Sequence, residues 1–255
     1  MSVGVSFNAD RSRVAFRLAH SKGNILTADI VDALRSGIEG LGQNPRLKLI
    51  TFEGEGADFS FGASIPEHAP EHIARVLPLL DALVDDVLEA PAVTAAVVRG
   101  RCLGGGFELA LACDLIFAAD DAQFGLPEIR LGVFPPAAAV LLPARVGYAR
   151  ATRDVLTGEV RSAAYWKDAG LIALTAPDAE LSRTTDLWFD EHLAPKSAVA
   201  LRHAIVAARN GLLAEVRQRL PTLERLYLDD LMQTHDAQEG VRAFLEKRPP
   251  KWRDE

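Results

Sequence analysis

Gly100-Arg-Cys-Leu-Gly-Gly-Gly-Phe-Glu-Leu-Ala-Leu-Ala-Cys-Asp114 is the stretch on which the reading of this chain turns. The run before it, Val93–Val98 (VTAAVV), has the length and composition of a buried strand. The run after the glycines is short and apolar on nearly every side, as a buried helix would be. Gly104, Gly105 and Gly106 therefore form a turn from strand to helix. Glycine tolerates unusual φ there and lets a ligand approach the backbone. A helix N-terminus adds unpaired N–H groups and partial positive charge. Two readings follow, a site for developing negative charge or tight packing of helix on strand, and spacing alone does not separate them. The G-x-G-x-x-G dinucleotide spacing is absent, and no Lys-Ser/Thr follows as in a P-loop. Glu108 lies in the first turn of that helix, where a carboxylate is either a structural cap or a catalytic group. Burial would raise its pKa and the helix dipole would lower it.

A second carboxylate, Glu128, follows Phe124-Gly-Leu-Pro127 and precedes Ile129-Arg-Leu-Gly132. Taken alone it reads as a solvated loop residue. Taken with Glu108 it could complete an acid and base pair around one water, with apparent pKa values that belong to the pair.

Outward from this centre, Val3–Phe7 and Val14–Leu18 alternate around Asn8-Ala-Asp10 and predict a hairpin. Thr27 stands as N-cap of a helix reaching about Leu41, with Ile30, Val31, Leu34 and Ile38 on one face. Leu47–Phe52 predicts a strand, residues 72–89 a helix, and Leu115–Ala119 and Ala122–Gly125 two short strands. Everything after about Pro136 carries a helical pattern. Strands alternating with helices in the first half indicate an α/β fold. Asn210-Gly211 and Pro221 punctuate the C-terminal helices, which supports a division into a core over 1–194 and a helical region over 195–255.

The 255 residues are about half apolar, enough for a sizeable core, and the net charge of −7 gives no basic footprint for nucleic acid. The two cysteines, Cys102 and Cys113, read as buried thiols. No secretory h-region and no long apolar span is present, so the expectation is a cytoplasmic chain without membrane partners.

Cys102–Asp114, together with Ala122-Gln-Phe-Gly-Leu-Pro-Glu128, resembles the signature of the enoyl-CoA hydratase/isomerase, or crotonase, superfamily. The resemblance covers nearly the whole chain. Lys22-Gly-Asn-Ile-Leu-Thr27 is similar to the family's first CoA-contacting loop, and Phe59-Ser-Phe-Gly-Ala-Ser-Ile65 to its first oxyanion strand end. Ala169–Ile172 and Glu239–Arg248 match later landmarks. The resemblance implies a spiral of ββα units with a C-terminal helical region that mediates homotrimers, often paired into homohexamers. It implies that the backbone N–H groups of Ala63 and Gly105 bind a thioester oxygen, stabilising an enolate. It implies that Glu108 orients and deprotonates water and that Glu128 supplies the proton to the α-carbon. Substrate contacts carried over in the same way fall on Lys22, Asn24, Gly62, Ser64, Ile65, Gly104, Phe134 and Pro136. No metal and no resident cofactor is implied, since CoA arrives as part of the acyl-CoA substrate.

Two departures stand out. The family's usual aspartate after the first oxyanion alanine is Ser64, and its Gly-Ala-Gly-Gly stretch is replaced by Phe134-Pro-Pro-Ala-Ala-Ala139. Prolines and alanines stiffen that segment and imply a reshaped acyl pocket. Ser60–Ser64, Pro66-Glu-His68 and Gly132–Pro136 are similar to the branch of the family that hydrates cyclohexa-1,5-diene-1-carbonyl-CoA to 6-hydroxycyclohex-1-ene-1-carbonyl-CoA in anaerobic benzoate degradation. A general enoyl-CoA hydratase and a Δ3,Δ2-enoyl-CoA isomerase are the alternatives. An isomerase needs one placed base, so the glutamate pair weighs against it. A non-catalytic binding protein of this fold, RNA-binding among them, is the remote alternative, disfavoured by the acidic charge.

His68-Ala-Pro-Glu-His72 matches the H-x-x-E-H zinc pattern, but Pro70 between the histidines opposes a continuous helix and no third ligand is evident. His68 or His72 reads instead as a pocket residue. Gly62–Pro66 half-resembles a nucleophile elbow without its second glycine. Asp114 reads as a structural group bonding nearby backbone. Lys22, Arg99 and Arg101 are the cations placed to meet CoA phosphates or to stay solvated.

Overall fold

The computed structural model describes residues 3–20 and 23–255. Strands β1 (Val3–Phe7) and β2 (Arg13–Leu18) form the expected antiparallel hairpin, with Val3 opposite Leu18 and Phe7 opposite Val14. Its turn is held by Asn8, whose Oδ1 accepts from the Arg13 N–H, and by Asp10, whose Oδ1 accepts from the Ser12 N–H. Helix α1 (Ala28–Glu39) buries Ile30, Val31, Leu34 and Ile38, as their spacing requires. Thr27 occupies the N-cap, but its side chain makes no capping bond. Glu67 supplies the cap instead, accepting from the Ala28 N–H at 3.0 Å and tying the loop before α2 to α1.

The chain continues through β3 (Leu49–Gly54), α2 (Pro70–Glu89), β4 (Val93–Val98), β5 (Arg101–Leu103), α3 (Gly105–Ala112), β6 (Leu115–Ala119) and β7 (Gln123–Gly125). Helices α4 (Pro136–Val146) and α5 (Tyr148–Thr157) follow, then β8 (Val160–Ser162), α6 (Ala163–Asp168), β9 (Leu174–Ala176), α7 (Asp178–His192), α8 (Ala198–Arg225) and α9 (His235–Leu245). The main sheet has the order β1-β2-β3-β4-β6-β9 and is parallel from β2 onward. A second sheet, β5-β7-β8, lies in the next layer. Isolated parallel bridges extend that layer, joining Ser60 to Cys102 and Ala63 to Leu26. Each turn of the chain thus lays one strand in the main sheet, one extended segment in the second layer, and one helix. Three such turns run β3, Phe59–Ala63, α2; then β4, β5, α3; then β6, β7, α4. This is the expected α/β spiral of ββα units.

Two expectations are corrected. The region after Pro136 is not wholly helical, because β8 and β9 lie within it; at three residues each, neither is long enough to show a period. Asn210-Gly211 and Pro221 do not break the C-terminal helix, since α8 runs through both for 28 residues. Gly211 costs a helix interior only about 1 kcal/mol, and packing overrides it. Val216 and Leu220 are buried in the main core. Arg209, 5 % exposed, inserts its guanidinium between elements. Its Nε donates to Asp114 Oδ1 at 2.8 Å and its Nη2 to Asp114 Oδ2 at 2.5 Å. Its remaining N–H groups reach the carbonyls of Leu88, Ala90 and Ala92. Asp114 also accepts from the Thr94 N–H at 2.7 Å, so it has the backbone-bonding role expected of it. No described helix is long and apolar enough to cross a membrane.

Candidate active site

The second layer ends where the spiral brings three backbone segments together. Ser60 N–H donates to the Arg101 carbonyl and Leu103 N–H to the Ser60 carbonyl. Two residues on, Leu26 N–H donates to the Gly62 carbonyl and Ser64 N–H to the Leu26 carbonyl. In a parallel bridge of this kind the residue between, Ala63, turns its own N–H to the opposite side. That side is occupied by the glycine turn. A Cβ on Gly105 would lie 3.2 Å from the Ala63 nitrogen, and one on Gly62 would lie 3.2 Å from the Gly105 nitrogen. Gly62 (φ +100°) and Gly104 (φ +50°, ψ −129°) hold conformations open only to glycine. Gly105 opens α3, so its N–H is one of the helix's orphan donors. Among the described residues, nothing accepts a hydrogen bond from the Ala63 or Gly105 amide. Two unpaired N–H donors thus stand close together where the glycine turn meets the Gly62–Ser64 segment.

This junction lies in a cavity of about 70 Å³, whose walls include Gly62, Ala63, Ile65, Gly104, Gly105 and both glutamates. Glu108 Oε1 accepts from the Ala138 N–H at 2.9 Å. Helix α4 therefore begins by aiming its unpaired amides at Glu108, with Pro136 at a first-turn position where no N–H is needed. Burial raises the Glu108 carboxyl to about 7, against the lowering effect of the Ala138 and Ala137 amides. Glu128 sits in a tight turn over Pro127–Leu131, with Oε2 buried and unpartnered among the described residues. Burial and the Glu108 charge raise it to about 8. The solvated-loop reading of Glu128 is thus corrected: the Pro127 turn folds its carboxyl inward against Gly104, whose Cβ, if present, would stand 2.7 Å from Oε1.

Phe134, Pro135 and Pro136 form one wall of the cavity, with Leu131 and Val133 beside them. Three further groups complete it. His68 is half-buried and lines the cavity, and its Nδ1 lies 2.9 Å from the Ser64 carbonyl. A carbonyl only accepts, so Nδ1 carries the proton, and burial holds the ring below its ordinary pKa. Tyr227, in the wide helical turn after α8, packs edge-on against Phe134 and has a buried, unpartnered hydroxyl. Burial, then the neighbouring Glu128 and Glu108, push its pKa up. Leu77 and Leu80 of α2 add apolar surface. Neither Tyr227 nor the α4 amides carry a local sequence signal, because each reaches the site from a distant part of the chain.

Other expected contacts lie elsewhere. Asn24 is 2 % exposed, at φ +47°, and its Nδ2 donates to the carbonyls of Glu55 and Asp58. It fastens the loop carrying residues 58–63 and does not line the cavity. Ser64 does not line the cavity; it is buried, and its carbonyl accepts from His68 Nδ1. Lys22 falls outside the described residues. Arg99 is held by Asp178 and Ser182, whereas exposed Arg101 stacks over Phe61 at the cavity edge. His68 precedes α2 in a separate turn, so the two histidines of the H-x-x-E-H pattern do not share a helical face. A larger open groove, about 810 Å³, runs beside α1 under the Arg35–Asp86 ion pair and holds none of these groups.

Comparison with known proteins agrees with this architecture. The family model described as enoyl-CoA hydratase/isomerase matches residues 14–255. A cyclohexa-1,5-dienecarbonyl-CoA hydratase of Thauera aromatica is 46 % identical over 95 % of this chain and 93 % of its own. A probable enoyl-CoA hydratase of Bacillus subtilis is 30 % identical over 98 % of this chain and 99 % of its own. Among solved structures, an enoyl-CoA hydratase from Mycobacterium avium subsp. paratuberculosis superimposes with a TM-score of 0.87 at 27 % identity, covering 99 % of this chain and 98 % of the other.

Proposed function

The chain belongs to the enoyl-CoA hydratase/isomerase family, and from that premise we propose that its hydro-lyase chemistry is carried by Glu108 and Glu128 facing the amides of Ala63 and Gly105. The observation that carries this reading is the pair of buried carboxyls beside two unpaired N–H groups in one cavity. The thioester carbonyl of an acyl-CoA accepts from the two amides. Glu108 takes a proton from water as the water oxygen bonds to the β-carbon. The electron pair of the double bond moves onto the thioester oxygen, where preorganised donors hold it. Glu128 then gives its proton to carbon, and the carbonyl re-forms. The two glutamates differ in their hydrogen bonds, and this sets their roles. Amides at the start of α4 favour the charged form of Glu108, which suits a base; Glu128 Oε2 has no donor and keeps its proton longer, which suits an acid.

We assign the substrate class to cyclic conjugated dienoyl-CoA esters, with cyclohexa-1,5-diene-1-carbonyl-CoA first, in anaerobic aromatic degradation. Two features support it: the similarity to the Thauera aromatica hydratase, and the rigid wall of Phe134, Pro135 and Pro136 faced by Tyr227. Such a wall suits a flat ring better than a flexible chain. Giving 6-hydroxycyclohex-1-ene-1-carbonyl-CoA requires hydroxide at the β-carbon and a proton at the far end of the dienolate rather than at the α-carbon. The CoA moiety belongs to the substrate, and the reaction as written needs no other cofactor. Exposed apolar side chains such as Tyr148, Leu156 and Val206 support association into homotrimers or homohexamers.

The test is direct. Purified protein is incubated in parallel with cyclohexa-1,5-diene-1-carbonyl-CoA and crotonyl-CoA, and water addition is followed by mass and absorbance. Faster hydration of the cyclic diene is expected. The reverse preference sinks the substrate assignment and leaves the hydratase chemistry. Glu108→Gln and Glu128→Gln are each expected to lower turnover by ~10²–10⁴-fold with acyl-CoA binding retained. Near-normal turnover in either removes that residue from the mechanism.

A further inference from the structure

Behind Glu108, on the side away from the substrate cavity, lies a third carboxyl that the chemistry above does not use. Asp81, on the inner face of α2, is 8 % exposed, and its Oδ2 is buried without a partner among the described residues. It faces Glu108 from α3 and Glu224 from α8; Asp85, one turn along its own helix, is also close. Arg217 of α8, which lines the same outer cavity, is turned to Asp85 and Glu89. From α1, Arg35 is engaged with Asp86. From α4, the backbone around Ala137 closes the space. No described cation pairs with Asp81, so a carboxylate here would be buried uncompensated, an arrangement that costs several kcal/mol and is concentrated at functional sites.

Two cavities meet at Asp81. The inner one, about 10 Å³, is lined by Asp81, Glu108 and Gly105, among others. That is roughly the volume for one water, and a water there has two carboxyls as partners. The outer one, about 240 Å³, is lined by Asp81, Asp85, Arg217 and Glu224. Asp81 and Glu224 line this same outer cavity, and two carboxyls there can bond only if they share a proton. Burial, reinforced by Glu108 and Glu224, raises Asp81 to about 9, so it holds a proton when Glu108 does not.

We propose that Asp81 and Glu224 form a proton relay joining Glu108 to solvent by a route separate from the substrate cavity. The inference rests on the hydratase reading. When water adds, its oxygen bonds to the β-carbon and one of its protons passes to Glu108. The enolate receives a proton from Glu128. Before the next turnover Glu108 must lose its proton. It passes that proton to one oxygen of Asp81, the other oxygen releases one towards Glu224, and Glu224 delivers it to solvent. Glu128 regains its proton from solvent after product leaves, so the cycle balances with one water consumed. Asp81 touches no substrate and acts through Glu108.

The test uses Asp81→Asn, which keeps shape and neutrality but cannot carry a proton, and Glu224→Gln at the solvent end. Asp81→Asn is expected to lower kcat about tenfold, less than loss of a direct base, with KM for the thioester and thermal midpoint nearly unchanged. Glu224→Gln should fall in the same direction by less. The double variant should be no slower than Asp81→Asn, because both lie on one path. In Asp81→Gly, formate added to the buffer should restore part of kcat, a response that a packing role would not give. If Asp81→Asn does not fold, Glu224→Gln and its buffer response decide. An active wild type with unchanged kcat in both variants, or an Asp81→Gly loss indifferent to formate, overturns the relay alone. A wild type that hydrates neither thioester overturns the hydratase reading, and the relay with it.

Discussion

Gly104→Ala tests the geometry of the site with a single methyl group. Gly104 sits at φ +50° and ψ −129°, so any Cβ there strains the backbone by about 1–3 kcal/mol. The methyl would also stand 2.7 Å from Glu128 Oε1. Restoring ordinary contact requires the carboxyl to recede by roughly 0.7 Å or the turn to open by as much. The first shift moves the acid away from carbon, and the second moves the Gly105 amide away from the thioester oxygen. A misplacement approaching 1 Å costs about 10²-fold in rate. The expected result is kcat lowered by about two orders of magnitude with KM changed much less, since the Phe134–Pro136 wall is untouched. At about 2–4 °C per kcal/mol for a chain of this size, the strain should lower the thermal midpoint by a few degrees. Gly211→Ala is the matched control. Its Cβ would meet nothing within 4 Å, its φ is not positive, and it lies inside α8. It should leave kcat alone and stabilise by up to about 1 kcal/mol. The assay is steady-state hydration of both thioesters, with thermal melts on the same samples. A folded Gly104→Ala protein with near-wild-type kcat would refute the placement of Glu128 and of the Gly105 amide together.

Three further outcomes are expected. The pH profile of kcat/KM should be a narrow bell, rising as Glu108 loses its proton near 7 and falling as Glu128 loses its own near 8, with both limbs belonging to the coupled pair; a flat profile between about 6 and 9 would rule out this acid and base assignment. Tyr227→Phe removes a buried hydroxyl that has no partner, so the melt should hold or rise, while kcat falls up to about tenfold if that hydroxyl bonds the reacting water or Glu128; unchanged kcat makes Tyr227 a wall residue only. Arg209→Met should cost about 3–5 kcal/mol, because it strands the Asp114 carboxylate and three backbone carbonyls in the interior; a loss below about 1 kcal/mol in denaturant titration would contradict the anchoring of α8 described above.

The glycine turn, Glu108 and the alternation of strand and helix are legible in the sequence because each is a local pattern. Gly104–Glu108 fixes a turn, an orphan amide and a carboxyl within five residues. The side chains that finish the cavity are not legible in this way. Tyr227 arrives from the far end of α8, and its neighbours along the chain give no sign that it will face Glu128. Arg209 reads as one more charge on an exposed helix until Asp114 appears opposite it. Two of the readings that failed locally did so for the same reason. Glu128 looked solvated because a loop sequence does not reveal which way a proline turn folds, and Pro221 looked like a helix break because propensity is weaker than the burial of Val216 and Leu220 beside it.

The replacement of glycines by Phe134-Pro-Pro-Ala-Ala-Ala139 then acquires a second meaning. As sequence it implies a stiff, filled pocket wall. In the fold it also sets where α4 begins, because Pro135 is extended and Pro136 opens the helix. That start places the Ala138 amide on Glu108. In the proposed mechanism the site is served by two helix N-termini, α3 presenting Gly105 to the thioester oxygen and α4 presenting Ala138 to the base. One lowers the cost of the negative charge that forms during addition, and the other lowers the cost of the charge that must exist before it. Glu128 receives neither, and in the proposed mechanism this asymmetry separates the acid from the base within one cavity. Shifting the start of α4 by one residue would therefore alter the proton affinity of Glu108 as well as the shape of the wall, so substrate fit and base strength are set by the same six residues.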